Sequence, residues 1–110
     1  EIQKPIDLQI SNNEHRVYEN AGKFRIRSAA KWDLYAYTNK KHPDLNIYIR
    51  KSDDIFASWK KVNSKNKVLE GTVGLYNVKW DVRVQPKNNI VKNKHTQNNL
   101  KIKLELEKPK

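Results

Sequence analysis

Between Leu75 and Val84 the chain reads L-Y-N-V-K-W-D-V-R-V, so that Val78, Trp80, Val82 and Val84 alternate with Lys79, Asp81 and Arg83. Successive side chains of a strand point to opposite faces, and a strand built from this stretch has one apolar face and one charged face. Leu100, Ile102, Leu104 and Leu106 repeat the pattern against Lys101, Lys103, Glu105 and Glu107. Strands of this kind belong to antiparallel sheets that cover a core on one side and meet water on the other.

The same alternation recurs along the chain. Ile6, Leu8 and Ile10 alternate with Asp7 and Gln9, and a short run follows at Arg16 to Glu19. Asn20-Ala21-Gly22 reads as a turn leading into Phe24 and Ile26, which alternate with Lys23, Arg25 and Arg27. Trp32, Leu34 and Ala36 form the next apolar face, and Leu45, Ile47 and Ile49 the one after it. Residues 52–67 are open between a helical turn around Ile55, Phe56 and Trp59 and a bent strand. Lys87 to Asn99 reads as a long polar connection suited to a crossover between sheets. The expected fold is therefore all-β: an antiparallel β-sandwich of about seven strands, immunoglobulin-like in general architecture, forming one domain over 1–110 with short Lys/Pro-containing termini. Aromatic residues at 9% of the chain argue against disorder in spite of a charged fraction of 32%.

The loop from Asn39 to Asp44 predicts a hairpin in which Thr38 faces Leu45. Its register sets Ala36 against Ile47 and Leu34 against Ile49 on the core side, with Tyr35 against Tyr48 and Asp33 against Arg50 outside. This gathers Tyr35, Tyr37, Tyr48, Arg50 and Lys51 on one wet surface, the first candidate binding site; Tyr and Arg are enriched where interfaces draw their energy. Trp-Asp occurs twice, at Trp32-Asp33 and Trp80-Asp81. Each is expected to place the ring in the core and the carboxylate on the opposite face, beside cations.

A net charge of +11 favours acidic partners. Arg25 and Arg27 on a strand, with Lys60, Lys61, Lys87, Lys92 and Lys94 in loops, are the expected polyanion contacts. Because most of these sit in loops, such binding is expected to be non-specific and salt-sensitive. The expected partner is a protein or an anionic glycan, with nucleic acid as the alternative.

The residues for chemistry are missing from the pattern. With no cysteine in the chain there is neither a disulfide framework nor a thiolate site. No Gly-x-Ser-x-Gly elbow surrounds any serine, and His15, His42 and His95 fall in polar segments without ligand spacing. No enzyme activity, cofactor or metal is expected. No apolar run is long enough to span a bilayer. The absence of methionine, even at position 1, reads as a processed product or an excised module. The expectation is a structural or binding module of a secreted or cell-surface bacterial protein. A cytoplasmic basic domain binding nucleic acid is the alternative, and a pilus-like subunit assembling by strand addition a further one.

Overall fold

The computed structural model describes residues 4–11, 15–87 and 97–110. Among them it has eight strands: β1 (Ile6–Ser11), β2 (Arg16–Ser28), β3 (Trp32–Thr38), β4 (Leu45–Lys51), β5 (Lys60–Lys61), β6 (Asn66–Gly71), β7 (Gly74–Pro86) and β8 (Gln97–Glu107). They form two four-stranded antiparallel sheets in the orders β1-β8-β3-β6 and β2-β7-β4-β5, here sheets A and B. Every connection except β4 to β5 passes from one sheet to the other. The inward rows close a shared core that includes Ile26, Trp32, Leu34, Ile47, Ile49 and Trp80, all buried. Leu8 and Phe24, expected in that core, pack against it half-buried, while Ile6, Leu45, Val62, Val84 and Leu100 are fully inside.

The expected β3–β4 hairpin does not form. β3 lies in sheet A between β8 and β6, with Leu34 opposite Leu106 and Leu69. β4 lies in sheet B, with Ile49 opposite Val82. Loop Asn39–Asp44 is a crossover between sheets. The expected facing holds, because Leu34, Ala36, Ile47 and Ile49 all point inward. The expected partners do not, because two strands with inward apolar faces satisfy the same alternation side by side in one sheet or across the core from each other.

Two other expectations change. The runs around Arg16–Glu19 and Lys23–Arg27 are one 13-residue strand, not two strands joined by a turn. Its register against β7 slips between Tyr18 and Gly22, where Asn20 takes a left-handed φ of 52°. The turn signal thus marks a bulge within a strand, a feature that bends and twists the edge it occupies. Gly22 follows because β1 passes close by: a Cβ there would come within 2.6 Å of Ile6 Cγ1. Residues 52–59 are a turn-rich loop rather than a helix, and β5 is the added short strand.

Since β5 spans only Lys60–Lys61, the edge of β4 is closed mostly by a side chain. Val62 N–H donates to the Ile47 carbonyl at 2.8 Å, and its own carbonyl accepts from Thr38 N–H at 3.0 Å, tying sheet B to sheet A. Asn63 then stands in for the missing strand. Its Oδ1 accepts from Ile47 N–H at 2.9 Å and its Nδ2 donates to the Leu45 carbonyl at 2.8 Å. An open strand edge is a template for unwanted pairing, and this amide covers it. Asn63→Ala should cost about 1–3 kcal/mol, because it strands part-buried backbone groups. A shift of the urea midpoint at constant m-value would measure this; a loss no larger than that of an exposed Asn, such as Asn77→Ala, would contradict it.

Candidate functional site

Sheet B presents its outer face as a row structure fixed by register. Lys23 lies opposite Lys79 and Arg25 opposite Asn77, with Val17 opposite Arg83. Arg83 in turn lies opposite Tyr48 and Asp81 opposite Arg50, and Tyr48 opposite Lys61. Arg27 continues the β2 row beyond Arg25. The face is therefore strongly cationic, and Asp81, one of its few carboxylates, is itself buried at 6% exposure.

At the centre is a stack of alternating rings and cations. The Arg83 guanidinium lies 4.5 Å from the Tyr48 ring centroid and 4.8 Å from that of Trp59. The Arg50 guanidinium lies 4.3 Å from Trp59. Trp59 reaches this position because it precedes β5 by one residue, in the row that neighbours Arg50. Each such contact stabilises by about 0.5–1 kcal/mol at an exposed site, so the stack chiefly fixes geometry. Nε is buried in both arginines, and the exposure that remains to these half-buried side chains falls on their other atoms. Exposed guanidinium donors whose orientation is fixed against aromatic rings suit anionic oxygens, since little side-chain freedom is left to lose on binding.

Asp81 anchors the stack from below. Its Oδ1 accepts from Ser52 Oγ at 2.5 Å and from the Asn20 backbone N–H at 3.0 Å, and its Oδ2 lies 3.8 Å from Arg50 Nη2. The carboxylate thus joins the bulge of β2, the end of β4 and the stack. This is the role expected of the second Trp-Asp pair. Asp33, in the first pair, lies in register with Glu70 and Glu107, and its charge acts on Lys67.

The expected tyrosine surface is divided. Tyr48 and Arg50 belong to the outer face of sheet B, whereas Tyr35 and Tyr37 lie on the outer face of sheet A, across the core. Lys51 falls in register with Trp80 and so on the other side of β4 from Arg50. The surroundings of Tyr35 and Tyr37 are of opposite character. Lys65 sits 5.2 Å from the Tyr35 ring and pairs with Glu105 at 3.1 Å and Glu107 at 2.6 Å. Tyr37 Oη donates to Glu105 Oε1 at 2.6 Å. That bond, with burial adding to it, raises the Tyr37 hydroxyl above its ordinary range. The same bond and the Lys65 ammonium hold the Glu105 carboxyl below its own. Lys65, bound by Glu107 and Glu105, is pushed up in turn. These groups satisfy one another and leave sheet A without a comparable array of cations.

Of the expected polyanion contacts, Arg25 and Arg27 stand on the outer face of sheet B, and Lys60 and Lys61 on its β5 edge. Lys87 is at the far end of β7, where its N–H donates to the Asp44 carbonyl at 2.9 Å. Lys92 and Lys94 lie outside the described residues. Sequence reasoning missed Lys23, Lys79, Arg83 and Trp59 as site residues. Arg83 and Lys79 were visible as the wet half of the β7 alternation; Trp59 had no such signal, being in the ambiguous loop.

Among the described residues no group of three or more His, Asp or Glu side chains is placed to hold a metal ion. A shallow cavity of about 240 Å³ beside Lys40, His42 and Asp44 has an imidazole whose proton affinity is lowered by burial and by Lys40, and it assembles no nucleophile with a base. Among the described residues no helix is long and apolar enough to cross a membrane. The arrangement is that of an all-β domain of two four-stranded antiparallel sheets. Comparison with protein-family models, curated proteins and solved structures found no match.

Proposed function

We propose that this chain is a non-catalytic binding module that engages an anionic partner through the outer face of sheet B. The observation that carries the reading is the Tyr48–Arg83–Trp59–Arg50 stack, set among Lys23, Arg25, Arg27, Lys61 and Lys79 on a rigid sheet. Cations fixed on strands differ from cations in loops: the field they make is directional, and partners approach one face of the molecule. The proposal includes an exported or surface-associated bacterial setting for such a module. Cell fractionation of the source organism would test that setting, and a purely cytoplasmic pool would reject it.

Binding should be read as a titration of heparin and of unrelated double-stranded oligonucleotides across salt concentrations. Affinity should fall linearly with salt on logarithmic axes, with little dependence on base sequence. Arg25→Gln with Arg27→Gln should flatten the oligonucleotide slope by about 2, since each phosphate contact contributes about 0.9 to it. The matched pair Lys101→Gln with Lys103→Gln, on sheet A, should leave the slope in place. Equal effects of the two pairs would mean that net charge alone drives binding, and the face would lose its role.

A further inference from the structure

The loop between β4 and β5 presents two adjacent large apolar side chains to water, Ile55 at 76% exposure and Phe56 at 90%. Among the described residues these two are the most exposed of the large apolar side chains, ahead of Val73, Leu75 and Val17, and leaving two together in solvent forgoes the burial that drives folding. The loop has internal order that holds them outward. Asp54 N–H donates to the Lys51 carbonyl at 3.4 Å, and the Asp54 carbonyl accepts from Ala57 N–H at 3.1 Å. The Asp54 carboxylate accepts from Phe56 N–H at 3.1 Å. At its start the loop is fastened to β7 by Ser52 N–H donating to the Lys79 carbonyl at 2.9 Å, and at its return by Trp59 on Arg50 and Arg83.

The loop leaves sheet B at a defined end. Antiparallel pairing puts the finish of β4 beside Lys79, and β7 and β2 run on past it as a two-stranded ribbon with Arg25, Arg27 and the half-exposed Leu75 on its outer side. An apolar tip framed by Lys and Arg is the composition of a membrane-surface contact, in which apolar side chains enter the acyl boundary and cations meet anionic headgroups. Duplex nucleic acid and soluble glycans use the cations but have no apolar layer to receive Ile55 and Phe56, and the bases of a single strand would stack on Phe56 but leave Ile55 in water. Base stacking on Trp59 would also compete with Arg50 and Arg83 for that ring.

We propose that the anionic partner is a lipid bilayer, with Ile55 and Phe56 inserting at the headgroup boundary and the Lys/Arg rows of sheet B lying against anionic lipid. This rests on the reading of sheet B as the polyanion-binding face. Asp53, exposed in the same loop, opposes such a surface, so Asp53→Asn should strengthen attachment.

The test is co-sedimentation of the full chain with phosphatidylcholine vesicles, with and without phosphatidylserine, beside heparin as a soluble polyanion. The parent should bind the phosphatidylserine vesicles selectively. Ile55→Ser with Phe56→Ser should weaken that binding about a hundredfold, roughly tenfold for each side chain withdrawn from the interface, and leave heparin affinity unchanged. Both positions are exposed, so thermal melting should match the parent. A double variant that binds these vesicles as tightly as the parent overturns the inference. A parent that binds heparin but no vesicle overturns it and leaves the face reading intact; a parent that binds neither rejects both. Concentration-dependent self-association abolished by the double variant, without vesicle binding, would assign the tip to a second copy of the chain instead.

Discussion

Trp80→Ala should lower the unfolding free energy by about 3–5 kcal/mol, the range for truncating a buried Trp in a core that relaxes only in part. Trp80 is 1% exposed, in the centre of the inward row of β7 between Val78 and Val82. β7 is also the strand that both β2 and β4 pair with, so the cavity would open where sheet B is held together. Gly22 lies directly across from it on β2, and no side chain from that position can move in to fill the space. Lys79→Ala, one residue away on the outer face, should stay within about 0.5 kcal/mol of the parent, as exposed substitutions do. Its effect belongs instead to the binding of polyanions. Urea denaturation of both variants tests this, and comparable losses at the two positions would refute the assignment of faces.

The contrast between those neighbours was legible in the residues, and so was most of the core. Period-two alternation states which way a side chain points, and the pattern at Val78–Val84 or Leu100–Leu106 leaves little freedom. It says nothing about which strand lies alongside. Pairing Tyr35 with Tyr48 and Asp33 with Arg50 looked consistent because aromatic meets aromatic and acid meets base. The structure answers with other partners of equal chemical sense: Tyr48 takes Arg83, and Arg50 takes Asp81. Cross-strand preferences of roughly 0.2–1 kcal/mol per pair are too small to choose among such solutions. The choice is made by closure of the whole core, including Val62, whose burial depends on the chain returning between the sheets after a loop with no periodicity. Half of the candidate site was hidden for the same reason. Arg83 and Lys79 were marked as wet-face residues, but nothing local could say that Trp59 would fold back over Arg50 or that the Tyr35 surface would lie on the far sheet.

Asp81→Ala should cost about 3 kcal/mol, the lower end of the range for removing one partner of a buried ion pair, because Arg50 keeps 25% of its side chain exposed. The loss has three sources. Arg50 is left beside Arg83 with no carboxylate between β4 and β7, Ser52 Oγ loses its acceptor, and the Asn20 N–H is orphaned at the bulge. Asp81→Asn keeps an oxygen for Ser52 and Asn20 and removes only the charge, so its cost should be smaller, and the difference between the two variants isolates the hydrogen bonds from the ion pair. The same substitution should act in the opposite direction on binding. With the buried charge gone, Arg50 is no longer partly neutralised and the face gains one net positive charge, so Asp81→Asn should bind heparin more tightly than the parent while melting at a lower temperature. A site that holds like charges close together at a cost in stability commonly behaves this way. Melting curves together with salt titrations well below the melting range would measure both effects. A variant that loses stability and affinity together would show that Asp81 serves only to position Arg50, and that the stack, rather than the sum of the charges, sets the strength of anion binding.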